Sequence, residues 1–346
     1  MTRTTAPVAG VAIVRRPRRL RSLWLLALLG VLLASAVLSI TVGARDVGWS
    51  EILAALGGGT DGFDQAAIAK RIPRTLLAIL VGAALAVAGT AMQGATRNPI
   101  ADPGILGVTM GANLAVVIGL AYFGITSASG FIWVAILGAA VSAAFVYTIA
   151  SLGRGGATPL KLALSGAATS AALVSLVTSV VLPRADIADA AQSWHVGGVG
   201  GATMPSITLI LPFVIVGALI CVATSRGLNS LALGDDLAAG LGERVAVIRL
   251  SSAFGAVILC GAATAIAGPI AFVGLVVPHA CRLIVGPDYR WLMPFSAVAG
   301  AVLLTIADVV GRIVARPSEV DVGIITALIG APFFIAIVRR QKVREL

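Results

Sequence analysis

The chain has 346 residues, of which 58% are apolar and 12% charged, and its mean hydropathy is +1.02. A soluble protein of this size cannot cover so much apolar surface, and the same balance excludes a disordered chain, a collagen-like rod and a coiled coil. Lys and Arg total 25 against 15 Asp and Glu, net +10, yet no basic stripe is interleaved with aromatics, so nucleic acid is not an expected partner.

The reading in chain order is an all-α polytopic membrane protein. Residues 1–22 form a basic tail; Met1 to Arg21 carries six arginines and no acid. About 20 apolar residues follow, from Leu23 to Val42, longer than the apolar core of a signal peptide, which favours a retained first helix. Ala34-Ser35-Ala36 imitates a cleavage site, and Arg15-Arg16 an export signal. Further apolar segments occupy 72–95, 105–124, 130–152, 160–182, 206–224, 245–268, 270–285, 292–315 and 322–338, which makes ten in one transmembrane domain over 23–338. The eighth is short and holds Pro278, which predicts a kinked or partly re-entrant segment. Asp186 to Met204 is too polar to span, and 339–346 is a second basic tail.

Ten spans place both termini on one side. Under this topology 18 of the 25 cations face the side of the termini, which makes that side cytoplasmic. The exceptions are Arg45, Lys70, Arg71, Arg74, Arg184, Arg312 and Arg316. Ala88-Gly89 precedes Pro99 by the interval at which Ala267-Gly268 precedes Pro278, in spans of opposite direction, an echo of the kind an inverted repeat leaves.

Enzyme signatures are missing. His195 and His279 lie 84 residues apart, and the sequence has no HExxH, no GxSxG, and no Gly-Lys dipeptide from which to build a P-loop. Cys221, Cys260 and Cys281 sit in apolar runs without CxxC spacing and read as buried thiols. Asp308 falls inside a span, where an acid suggests ion coupling; Arg312 stands one helical turn on and can neutralise it.

The cytoplasmic stretch 228–243 is too polar to span. Leu233, Leu237 and Leu241 recur at i, i+4, i+8, Gly234, Gly240 and Gly242 break the stretch, and Asp235 and Asp236 favour a helix start. Lipid-surface helices carry basic residues; the acids here favour docking into a partner's groove over lying on lipid.

Several motifs now resemble one family. Arg71-Ile-Pro-Arg74, Met92-Gln-Gly-Ala-Thr-Arg-Asn98-Pro99-Ile-Ala-Asp102-Pro103-Gly, Leu231-Ala-Leu-Gly-Asp-Asp-Leu-Ala-Ala-Gly-Leu-Gly242, Gly268-Pro-Ile-Ala-Phe-Val-Gly-Leu-Val-Val-Pro278-His279-Ala-Cys-Arg282 and Gly323-Ile-Ile-Thr-Ala-Leu-Ile-Gly-Ala-Pro332 resemble the iron-siderophore, haem and vitamin B12 permeases, in order and at family spacing over about 60–346. The stretch around Cys260 is most similar to ferric enterobactin permease subunits.

The resemblance implies an ATP-binding-cassette importer in a bacterial plasma (inner) membrane. Its parts would be two permease subunits, two cytosolic ATPases that hold ATP and Mg, and an extracytoplasmic siderophore-binding protein. This chain itself would bind no cofactor and no metal, since iron arrives wrapped in a chelator. The resemblance assigns 228–243, with Leu231, Leu233, Gly234, Asp235, Asp236, Leu237, Leu241 and Gly242, to coupling with the ATPase. It assigns Thr158, Pro159 and Leu160 to a cytoplasmic gate, more apolar here than in many relatives. Ser193-Trp194-His195-Val-Gly-Gly198 resembles an extracytoplasmic Trp-x-x-Gly-Gly element. Arg71, Arg74 and Arg312 would meet glutamates of the binding protein. A paralogous heterodimer is favoured over a homodimer, and vitamin B12 or haem as cargo, or an ion-coupled carrier working alone, stays open at this stage.

Overall fold

A computed structural model describes residues 17–43, 63–104, 107–152, 159–184 and 196–342. All ten expected apolar segments are helices: α1 (Arg18–Thr41), α2 (Phe63–Thr96), α3 (Val108–Phe123), α4 (Ala128–Ser151), α5 (Pro159–Val181), α6 (Met204–Leu231), α8 (Val245–Ala267), α9 (Val273–Val285), α10 (Tyr289–Val314) and α11 (Val322–Lys342). A short helix, α7 (Asp235–Gly240), lies between α6 and α8. Seven of these are long and apolar enough to cross a bilayer, while α3, α9 and the apolar part of α11 are shorter.

Local chemistry sets the helix starts. Ser127 accepts the Gly130 amide at 3.2 Å ahead of α4. Thr203 and Ser206 cap each other reciprocally ahead of α6, whose first turn holds Pro205. Asp288 accepts the Arg290 amide at 3.1 Å at the start of α10.

Two boundaries moved outward furthest from the expected segments. α2 begins at Phe63 rather than 72 and carries Pro73 inside it, and α6 continues past 224 to Leu231. In both cases polar residues find partners within the fold, so the helix outlasts its apolar stretch. The eighth segment is a 13-residue helix, α9. At 1.5 Å per residue it is about 20 Å long, short of the roughly 30 Å of hydrocarbon, so it is a partial crossing. Its non-helical approach over 268–272 is tolerated because the protein surrounds it: Gly268 and Ile270 are buried.

The helix α2 is the axis of the bundle. Of its best apolar window 78% is buried, against 11% for α1 and 17% for α5, and it touches α1, α6, α8, α9 and α10. The helices α3, α4 and α5 pack together and join this centre through α8. Small residues permit the closest crossings. A Cβ added at Gly82 would strike the Gly300 carbonyl of α10, and one at Gly89 the Gly274 carbonyl of α9.

The dipeptides that suggested an internal echo sit in unlike settings. Ala88-Gly89 lies mid-helix in α2, whereas Gly268, with φ 67°, ends α8; Pro99 is in a turn and Pro278 inside α9. Their equal spacing marks no structural repeat at these positions.

Candidate functional site at the two ends of the bundle

At the cytoplasmic end, α6 runs into a turn at 232–234, where Gly234 adopts φ 117°, and α7 follows. The expected coupling stretch 228–243 is therefore corrected in detail. It holds the end of α6, one six-residue helix and two glycine turns, and Leu228 and Leu231 are 0% exposed inside the bundle. Leu231 is core and has no face to offer a partner. Leu233, Leu237 and Leu241 are the reverse, 60%, 62% and 66% exposed, while Ala238 on the inner side is buried.

This protruding helix is braced. Asp235 stands in its first turn, as expected, and accepts Arg249 Nη2 at 2.9 Å and Arg97 Nη1 at 3.5 Å. Arg249 also donates to the Ala95 carbonyl of α2 at 3.1 Å, and Ser230 donates to Glu243 at 3.1 Å across the base of the loop. Asp236 is exposed beside it. The chain thus presents three leucines on a lever tied to the end of its central helix.

Beneath it lies the expected motif Asn98-Pro99-Ile-Ala-Asp102-Pro103. Asn98 Oδ1 accepts the Ile100 amide at 3.1 Å and Asp102 Oδ2 the Gly104 amide at 3.0 Å, two side-chain-stabilised turns that stop α2. Prolines 99 and 103 lack the amide hydrogen a continued helix needs. Asp102 is buried next to Gly274 of α9. Gln93, which sequence reasoning did not single out although it lies in the quoted motif, accepts Arg282 Nη2 at 2.9 Å and donates to the Gly274 and Leu275 carbonyls at 3.3 and 3.4 Å. Pro278 is buried in α9, and His279 packs edge-on against Phe333 at 5.9 Å, so this motif serves packing. Among the described residues no His, Cys, Asp and Glu group is arranged to hold a metal. In the expected gate, Thr158 lies outside the described residues. Pro159 and Leu160 open the backbone of α5, and their side chains are likewise outside the description.

At the outer end the exceptional arginines acquire a reason. The last carbonyls of α1 have no intrahelical donors and carry the negative end of the helix dipole. Arg71 Nη1 donates to the Ile40 and Thr41 carbonyls at 3.1 and 3.0 Å. Arg312 Nη1 donates to the Ser39 and Val42 carbonyls, both at 2.9 Å, and Arg316 to the Gly43 carbonyl at 2.5 Å. Arg312 Nη2 also reaches Ser39 Oγ at 2.7 Å and Asp308 Oδ2 at 3.1 Å, the pair expected from the i, i+4 spacing. Asp308, 1% exposed, is shared with Arg74, whose Nη2 lies 2.8 Å from Oδ1 and whose Nη1 lies 2.6 Å from Glu319.

The expected outward presentation of Arg71 and Arg312 is corrected accordingly. They are 7% and 2% exposed, drawn inward by carbonyls and a carboxylate that the low-dielectric interior cannot leave unsatisfied. Arg74 is the more accessible of the three, bridging the buried Asp308 to the surface Glu319. Trp194 and His195 lie outside the described residues; the neighbouring glycines bind the outer ends of two helices, with the Gly198 amide on the Ala267 carbonyl at 2.8 Å and the Gly323 amide on the Gly197 carbonyl at 2.9 Å.

Comparison with known proteins converges with this geometry. The FecCD transport family matches residues 31–340, from mid-α1 to α11. The chain belongs to that family. The probable siderophore transport system permease protein YfiZ of Bacillus subtilis (strain 168) is 40% identical over 318 residues, 91% of this chain and 95% of that relative. The ferric enterobactin transport system permease protein FepD of Escherichia coli (strain K12) is 40% identical over 315 residues, 91% and 94% of the two chains. A solved ABC transporter assigned to the metal-chelate type, in an inward-facing conformation, superposes with a TM-score of 0.78 at 28% identity, covering 92% of this chain and 99% of that one. As a FecCD protein the chain is a multi-pass membrane permease and a transport subunit rather than an enzyme.

Proposed function

We propose that the chain is the permease subunit of an ATP-driven importer that carries a ferric siderophore inward across a bacterial plasma membrane. The observation that carries the reading is α7 and its flanks: exposed Leu237 on the helix, with exposed Leu233 and Leu241 just before and after it, braced through Asp235, Arg249 and Arg97 against α2. Such a helix seats in the groove of a cytosolic ATPase, which holds ATP and Mg, and passes its motion to the central helix as a rigid body. The lack of a Gly-Lys dipeptide is in keeping with nucleotide chemistry on that partner.

The surface of α5 suits a weakly binding path. Ser175, Thr178 and Ser179 are exposed, yet each hydroxyl donates to the carbonyl four residues back, at 3.0, 2.9 and 2.8 Å, so it has little to offer a chelate. Passage needs this, because cargo that is held is not released. A second permease subunit, favoured as a paralogue, faces this side. The binding protein docks on the outer rim at Arg74, the accessible arginine of the cluster, where an incoming carboxylate competes with Asp308 and Glu319.

The test is reconstitution in proteoliposomes with the cognate ATPase and binding protein, the captured chelate being identified by mass spectrometry. ATP-dependent uptake of a ferric siderophore is expected. Uptake that persists without the ATPase but collapses with the proton gradient would refute the reading in favour of an ion-coupled carrier, and recovery of haem or cobalamin would correct the cargo.

A further inference from the structure

Between the first turn of α1 and the first turn of α10 lies an open groove of about 390 Å³ lined by Arg18, Arg21, Asp288, Arg290, Trp291 and Pro294. Its size falls within the roughly 300–1,000 Å³ of small-molecule sites. Three guanidiniums face one carboxylate, and that carboxylate is already engaged. Asp288 lies 3.8 Å from Arg21 and 3.4 Å from Arg290, and accepts Asn229 Nδ2 at 2.7 Å and the Arg290 amide at 3.1 Å. The groove therefore keeps a surplus of positive charge.

Two further features point to an anion. Arg21 Nε is buried without a hydrogen-bond partner. The α1 helix has no side-chain cap at Pro17 and no acid in its first turn, so among the described residues nothing in that turn neutralises the positive end of a 24-residue helix.

The helix that forms one wall of the groove has an apolar exterior. Leu20, Leu23 and Trp24 are 39%, 62% and 48% exposed on α1, the least buried of the crossing helices, and Trp24 stands three residues from Arg21, on the same side of the helix. Trp24 and Trp291 lie near the arginines in sequence and in the groove respectively, at the end of the bundle that the charge asymmetry makes cytoplasmic.

We infer that this groove binds the phosphate of an anionic phospholipid of the cytoplasmic leaflet. The guanidiniums of Arg18, Arg21 and Arg290 hold the phosphate oxygens, and the acyl chains run along the exposed apolar side of α1 past Leu20 and Trp24. A soluble phosphate offers the same oxygens but gains nothing from the apolar flank, which is why the lipid is favoured.

The assembled complex with full-length chain is placed in phosphatidylcholine nanodiscs doped with spin-labelled phosphatidylglycerol, and immobilised lipid is measured. Co-purifying lipid is read in parallel by native mass spectrometry. Wild type is expected to immobilise phosphatidylglycerol over labelled phosphatidylcholine. Arg18→Gln with Arg290→Gln, both exposed positions, should weaken that preference roughly fivefold for each arginine, the size of one charge near an anionic leaflet. The Lys pair at the same positions should retain most of it. Equal immobilisation of both lipids would overturn the inference. So would displacement of the lipid by millimolar glycerol phosphate, which would make the ligand soluble. Loss of the ATPase from the Gln variant with lipid binding intact would assign the groove to a protein partner and overturn it equally.

Discussion

In Asp308→Ala, the Arg312 guanidinium loses its carboxylate while remaining 2% exposed among helix ends. Its bonds to the Ser39 and Val42 carbonyls and to Ser39 Oγ persist and satisfy donors on both Nη atoms, but the partial charge at the end of α1 offsets only part of a full positive charge. Leaving one member of a buried pair behind costs about 3–5 kcal/mol. Arg74 suffers less, because it is 14% exposed and keeps Glu319 at 2.6 Å. The loss therefore concentrates on Arg312, and a second substitution should recover it. Arg312→Met added to Asp308→Ala removes the stranded charge, and a buried ion pair exchanged for apolar side chains is often close to neutral. The cost of freeing the α1 carbonyls holds recovery to part of the loss, with a coupling of about 2 kcal/mol or more. The assay is the surviving monodisperse fraction after heating in detergent, for wild type, both single variants and the double. Asp308→Ala should lower the apparent midpoint by roughly 5–10 °C, with the double variant in between. A single variant as stable as wild type, or a double variant at the sum of the singles, would refute this account of the cluster.

Leu237→Asp should express and fold normally, since the side chain is 62% exposed in the isolated chain, but should lose the ATPase on purification and abolish uptake. Burying that charge in a partner's groove costs several kcal/mol. Leu231→Asp, 0% exposed, should instead abolish folded protein, a contrast visible by size-exclusion chromatography. Gly89→Val should also prevent folding, because its Cβ would occupy the Gly274 carbonyl, whereas Gly240→Val, with open space around it, should leave yield unchanged. Burial pushes the Asp288 carboxyl up, but hydrogen bonds from Asn229 and the Arg290 amide and the charge of Arg290 outweigh this and hold it below its usual value. A depressed folded-state value stabilises above the unfolded value of about 4 and is lost as pH falls through the folded one. Wild type should lose stability relative to Asp288→Asn as pH is lowered below 4, measured by melting in detergent.

The spans were legible because apolar length alone decides what a bilayer accepts. What escaped was how polar residues at the span ends are used. A polarity cut at 224 misses that Asn229 binds Asp288 and Ser230 binds Glu243, which carries α6 on to Leu231. It likewise stops short of Lys70 and Arg71, although Arg71 spends its charge on the end of α1 and α2 extends back to Phe63. Leucine spacing identified the exposed triad in and around α7 but not the burial of Leu231, because periodicity shows a shared face without showing which side faces the core. Asp308 and Arg312 were paired by spacing within one helix. Arg74 and Ser39, their other partners, come from helices remote in sequence, and no local pattern reports such contacts.

The carbonyls at the outer end of α1 bear on how the protein is made. The first helix is translated and can enter the bilayer early, but Arg312, which closes its end at Ser39, is encoded 273 residues later, and Arg316 later still. Until α10 has left the ribosome and inserted, Arg71 is the earliest of the three arginines able to reach those carbonyls, and α1 has little buried surface to hold it against the rest of the chain. Completion of this arginine-tied end therefore reports that nearly the whole chain is in place. A nascent chain truncated before α10 would lack the Arg312 and Arg316 bonds and leave part of this helix end unclosed.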